Sequence, residues 1–140
     1  PIQNPDVLDY LKFSGLKNYD INLSVSILPE ESKVETQICK SNFKYMYWNM
    51  SQQIAHHTVN GCNLNVGDMM ASGTISGKSE NSYGSMLELS WGGKKKITLD
   101  DGLSRTFIED YDSVIMRGYC KKNEIRVGFG EVRSKLLPSF

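Results

Sequence analysis

Gly67-Asp68-Met69-Met70-Ala71-Ser72-Gly73-Thr74-Ile75-Ser76-Gly77, followed by Gly84-Ser85-Met86-Leu87-Glu88-Leu89-Ser90-Trp91, sets short apolar stretches between glycine-rich turns. Glycine permits turn dihedrals that other residues resist. Met69 to Ser72 reads as one strand and Met86 to Trp91 as another. In the second, Leu87, Leu89 and Trp91 take one face, and Met86, Glu88 and Ser90 the other. The chain after Gly61 continues in this way. Ile97-Thr98-Leu99, Thr106-Phe107-Ile108, Ser113 to Cys120 and Glu124 to Val132 are further short strands, punctuated at Asp100-Asp101-Gly102 and Lys121-Lys122-Asn123. Many short strands at this spacing predict an antiparallel or mixed β roll or sandwich.

Upstream, residues 1–18 read as loop, with a short helical turn near Val7 to Leu11. Tyr19 to Ile27 alternates: Ile21, Leu23, Val25 and Ile27 face one way and Asn22, Ser24 and Ser26 the other. That is a half-buried strand. Pro29 to Ser32 is a turn, and Val34, Thr36 and Ile38 alternate again, so the two strands form a hairpin. Ser41-Asn42 supply N-cap residues. Phe43, Tyr47, Met50 and Ile54 then mark one face of an amphipathic helix that stops at Asn60-Gly61. The fold expected is mainly β with one main α-helix packed on the sheet.

The 140 residues suit one domain. Charge balances to zero, so no basic stripe points to nucleic acid or a membrane surface. Lys94-Lys95-Lys96 reads as a solvated hairpin tip. No apolar run approaches a membrane span. Cys39, Cys62 and Cys120 are odd in number and widely spaced, which argues against a disulfide framework and a zinc site and for reduced thiols in the cytosol.

Two residues stand out as candidates for chemistry. Glu88 is a lone carboxylate in an apolar strand. It lies either on a solvated strand face or in a half-buried cleft, where it would suit proton handling or orienting a histidine. Thr74 offers a hydroxyl in a turn of small residues, where backbone and side chain can touch a ligand or simply reverse the chain. The glycine spacing matches no nucleotide-binding motif. His56 and His57 occupy adjacent helical positions and cannot easily share one metal. His57 continues the apolar helix face and reads as a packed core histidine. The helix aromatics Tyr45, Tyr47 and Trp48 suit a core or a subunit contact. Asp100, Asp101, Asp110 and Asp112 fall in turns, where Asp bonds locally.

Several segments resemble the fumarylacetoacetase family: Tyr19 to Ser26, Ser41 to Trp48, His56 to Leu64, the opening pair of motifs, Arg105-Thr106-Phe107, and Arg126-Val127-Gly128-Phe129-Gly130. The likeness runs from Tyr19 to Leu137. The wider superfamily usually has Gly-Thr-Pro where this chain has Gly73-Thr74-Ile75. The resemblance implies a metal-dependent hydrolase that cleaves the carbon–carbon bond of 4-fumarylacetoacetate to fumarate and acetoacetate, the last step of tyrosine and phenylalanine breakdown. It implies a cytosolic homodimer with an SH3-like domain followed by a mixed β-roll domain, of which this chain would be the C-terminal part. Calcium or magnesium, the catalytic histidine and most substrate contacts would then lie upstream, and the chain alone is expected to be inactive. Glu88 would pair with the upstream histidine, and Thr74 would contact a substrate carboxylate. A different class of reading is a stand-alone β-rich binding or assembly module without catalysis. A chain covered by further protein is also expected to expose sheet edge and apolar surface when alone.

Overall fold

The computed structural model describes residues 2–15 and 18–139. Residues 1, 16 and 17 of the predicted opening loop lie outside the described residues. The architecture is mainly β with one main helix, as expected. Four strands make one antiparallel sheet: β1 (Asn22–Leu28), β2 (Thr36–Asn42), β5 (Ser113–Lys122) and β6 (Ile125–Lys135), in the order β2-β1-β5-β6. A small second sheet pairs β3 (Ile97–Thr98) with β4 (Ser104–Arg105). The helix α1 spans Met50–Thr58, and a single turn, α2, spans Met86–Leu89. The predicted opening turn is a 3-10 turn at Asp9–Leu11.

β1 and β2 form the expected hairpin, with a register shift between Val25 and Ser26. β5 and β6 are joined at Asn123, whose φ of 54° is the left-handed backbone conformation that a tight hairpin turn uses. The pairing of β1 with β5 runs unbroken from Asn22↔Tyr119 to Leu28↔Ser113. It buries Ile27 and Ile115 completely, each worth about 1.5–3 kcal/mol. Cys39, Leu99 and Leu11 complete a small core. Ser26 is 3% exposed, because β1 is an interior strand whose second face is also covered there. Arg105 and Asp112 are buried together in a two-point ion pair, with 2.9 Å bonds from Nε to Oδ2 and from Nη2 to Oδ1.

The predicted helix starts later than expected. Ser41 and Asn42 end β2. Ser41 Oγ donates to the Ile75 carbonyl at 2.6 Å, and Asn42 caps only a 3-10 turn at Phe43–Tyr45. The helix proper begins at Asn49, in a reciprocal capping box with Gln52. Its buried residue is Gln52, whose amide donates to the Leu11 carbonyl at 2.7 Å. The predicted apolar face is open instead: Met50 and Ile54 are exposed. His57 is exposed too, so it is not a core histidine. The face it extends borders an open hollow, where Phe43, Met50 and Ile54 stand opposite Met70, Ala71 and Ser72.

Three predicted strands are absent, one of them at Met86–Trp91, where the chain forms α2 instead. Residues 69–72 have no ladder partner, and the strand expected at Thr106–Ile108 is instead the short β4 just before it. β6 is exposed at every position, with Ile125, Val127, Phe129 and Val132 facing solvent on a free sheet edge. The edge and apolar surface anticipated from the sequence are therefore present. No helix among the described residues is long and apolar enough to cross a membrane.

Candidate functional site

Glu88 does not lie on a strand. It sits in α2, where Ser85 is the N-cap and accepts the Glu88 N–H at 3.2 Å. The alternation of Leu87, Leu89 and Trp91 suggested a strand, but Ser85-x-x-Glu88 is a helix-start signature. The turn closes at once. Trp91 takes φ 52°, while the Gly92 N–H bonds the Leu87 carbonyl at 2.8 Å and the Trp91 N–H bonds the Glu88 carbonyl at 3.2 Å. This is the double-bond pattern of a left-handed helix end.

The segment 74–77 is held beside α2 from two sides. Ser41 of β2 fixes the Ile75 carbonyl, and the Gly84 N–H donates to Ser76 Oγ at 3.1 Å. Two glycines leave no room for a side chain, Gly84 against backbone and Gly77 against the side chains of Ser82 and Tyr45. A Cβ on Gly84 would lie 2.7 Å from the Ile75 carbonyl oxygen. One on Gly77 would lie 2.5 Å from Ser82 Oγ and 2.7 Å from the Tyr45 ring. Glycine is required there for space.

This packing brings two hydroxyls onto Glu88. Ser76 Oγ donates to Oε2 at 2.7 Å, and Ser85 Oγ donates to the same oxygen at 2.9 Å. No hydrogen bond from the described residues reaches Oε1. Glu88 is half-buried on the wall of an open hollow of about 540 Å³, bounded also by Tyr45, Tyr47, Trp48 and Thr74. Of the two readings of this carboxylate, the half-buried cleft is the one observed. Beneath it, burial and the charge of Glu88 push the Cys39 thiol up, so this sulfur stays protonated.

Thr74 is exposed at the rim of the same hollow, and its hydroxyl has no partner among the described residues. Thus both predicted site residues share one hollow. The histidines do not join them. His56 Nδ1 lies 3.0 Å from the Tyr10 hydroxyl in a separate cavity, and His57 Nε2 lies 3.2 Å from Cys62 Sγ. The three thiols are free, with Cys39 buried and Cys62 exposed. Asp112 is wholly committed to Arg105 and the Glu109 N–H, a structural role rather than a loose turn residue. Among the described residues no three His, Cys, Asp or Glu side chains converge to hold a metal ion. The sequence reading missed Ser76 and Ser85. The Ser-x-x-Glu spacing was the signal for Ser85, but no local pattern marked Ser76.

Chemically, the hollow offers a carboxylate with one oxygen tethered and the other open, and a free hydroxyl at its edge. Such a carboxylate can accept an N–H from a base and stabilise that base when it becomes a cation. These features sit in a β-rich domain of hydrolase type: the chain belongs to the fumarylacetoacetate (FAA) hydrolase C-terminal family, whose model matches residues 7–136. Among named relatives it is similar to the fumarylacetoacetases of Mus musculus (53% identical), Homo sapiens (52%) and Caenorhabditis elegans (51%). Each likeness covers 99% of this chain and 33% of the relative. The chain thus spans about a third of the length of the curated relatives it matches.

Proposed function

We propose that this chain supplies the carboxylate arm of a fumarylacetoacetase. The reaction is hydrolysis of 4-fumarylacetoacetate to fumarate and acetoacetate, closing tyrosine and phenylalanine breakdown in the cytosol. The observation that carries the reading is the one-sided tethering of Glu88 in an open hollow, together with likeness along nearly the whole chain.

In this reading a histidine from outside the segment donates one ring N–H to Glu88 Oε1. That bond fixes the imidazole tautomer and orientation, as the acid of a catalytic triad does. The other ring nitrogen takes a proton from water, and the hydroxide adds to a ketone carbonyl of the diketo acid. The carbon–carbon bond then breaks, its electron pair leaves on the acetoacetate fragment, and a proton completes that product. Glu88 stabilises the imidazolium throughout. Thr74 donates its hydroxyl to a substrate carboxylate at the rim. The calcium or magnesium ion implied by the family likeness finds no ligand cluster among the described residues, so no step is assigned to it. The partners are the diketo acid and a second copy of the longer protein, with neither nucleic acid nor membrane. The segment alone is expected to be inactive, because an acid without its base activates nothing.

A second reading is an assembly module without catalysis. The exposed β6 edge and the open Met50–Ile54 face favour it. One experiment separates the two: Glu88→Gln in the full-length enzyme. The catalytic reading expects turnover to fall about 10²–10⁴-fold with folding little changed. Near-normal turnover would refute the role of Glu88, and a full-length protein without any turnover would leave the assembly module.

A further inference from the structure

We infer that Ser76 and Ser85 are positioning residues, which hold Glu88 by one oxygen and reserve Oε1 for the N–H of the catalytic base. This rests on the reading of Glu88 given above and extends it to two residues outside that reading.

The direction of each hydroxyl proton follows from what its oxygen already accepts. A serine hydroxyl has one proton to give and two lone pairs to receive with. Ser76 Oγ receives the Gly84 N–H, and Ser85 Oγ receives the Glu88 N–H. With those backbone protons pointing in, each hydroxyl proton points out, and both meet Oε2. That oxygen is then saturated by two charge-assisted bonds. The remaining oxygen keeps both of its lone pairs.

The two serines come from independent parts of the fold. Ser85 belongs to α2, whereas Ser76 belongs to the segment tied to β2 through Ser41 and Ile75. Pulling from both, they fix the carboxylate relative to the sheet and not merely to its own turn. Simple capping does not explain this, since Ser76 caps no helix.

The contrast with Asp112 is direct. That carboxylate is built for structure and spends both oxygens, on Arg105 Nε, Arg105 Nη2 and the Glu109 N–H. Glu88 spends one oxygen twice and the other not at all. The protonated Cys39 thiol keeps a competing negative charge from forming beside it.

The test uses the full-length enzyme with Ser76→Ala, Glu88→Gln and the double variant, and compares Ser85→Ala with Ser85→Thr. Ser76→Ala is expected to lower kcat about 10–100-fold and leave KM within about threefold. In the Glu88→Gln background the same change should alter kcat less than about threefold, because its effect runs through the carboxylate. Ser85→Thr keeps both the cap and the hydroxyl and should retain most of the activity that Ser85→Ala loses. If Ser85→Ala fails to fold, the Ser76 cycle and the Ser85→Thr comparison with wild type still decide. A Ser76→Ala enzyme with wild-type kcat, beside a dead Glu88→Gln, would overturn this inference and leave the catalytic reading standing. An equal loss from Ser76→Ala in both backgrounds would also overturn it. Near-normal turnover in Glu88→Gln would remove the catalytic reading itself.

Discussion

Gly84→Ala tests whether close backbone packing sets the site. A methyl group at Gly84 would sit 2.7 Å from the Ile75 carbonyl oxygen, 2.8 Å from Thr74 Cγ2 and 3.0 Å from the Ile75 carbonyl carbon. Two of these neighbours are backbone, and the Ile75 carbonyl is tied to Ser41 at 2.6 Å. Thr74 Cγ2 can turn aside, but the two backbone atoms cannot. Relief needs about 0.7 Å of separation to reach ordinary van der Waals contact. The Gly84 N–H to Ser76 Oγ bond, now 3.1 Å, would then stretch past useful length, and Ser76 would be drawn from Glu88. Overpacking of this kind costs about 1–3 kcal/mol. A misplacement approaching 1 Å costs roughly 10²-fold in rate when it reaches reacting groups. The expected full-length variant is therefore folded but less stable, with kcat down about 10–100-fold, read by denaturant unfolding and by turnover of the diketo acid. Wild-type stability and kcat together would refute the packing argument. So would a crystal structure of the variant in which the bond from Gly84 to Ser76 survives.

Other expectations concern stability. Asp112→Ala strands the buried Arg105 guanidinium with only the half-exposed Glu31 and Glu109, and should cost about 3–5 kcal/mol in chemical denaturation. Stability should also fall in acid. Arg117, hydrogen-bonded to Glu35, holds that carboxyl down to about 2; burial opposes ionisation of Asp112, but the bonds from Arg105 and the Glu109 N–H outweigh it and keep the carboxyl below its ordinary range. Groups depressed on folding stabilise fully above their unfolded values, about 4, and lose that contribution as pH drops through the folded ones. Glu35→Gln should therefore flatten part of the decline between about pH 5 and pH 2, and an unchanged acid limb would refute its share. Trp91 takes φ 52° and is 60% exposed, so Trp91→Gly should raise the urea midpoint by the equivalent of about 1 kcal/mol. A lower midpoint would show that the ring packs on something worth more than the strain.

The long strands and their hairpins were legible in the sequence because alternation is a local property. Ile21, Leu23, Val25 and Ile27 announce β1, and the two runs flanking Asn123 announce β5 and β6, whatever they pair with. The family likeness also rests on residues that can be read in order, and it led to Glu88 and Thr74 before any geometry was known. Short apolar runs carry less. Leu87, Leu89 and Trp91 alternate like a strand, yet the bond between Ser85 and the Glu88 N–H bends them into a helical turn. Asn49 and Gln52 likewise set the start of α1, while Ser41 and Asn42, good caps by type, were claimed by the end of β2. Pairing β1 with β5 joins segments far apart in the chain, and nothing local encodes that choice. The same holds for the tether on Glu88. Ser76 reaches it only because β2 grips Ile75 and because Gly84 lets two backbones touch. The sequence by itself marked the long strands, the family, and Glu88 as a candidate acid. Which oxygen of that acid is held and which is left open depends on contacts between distant segments, and only the tertiary structure decided it.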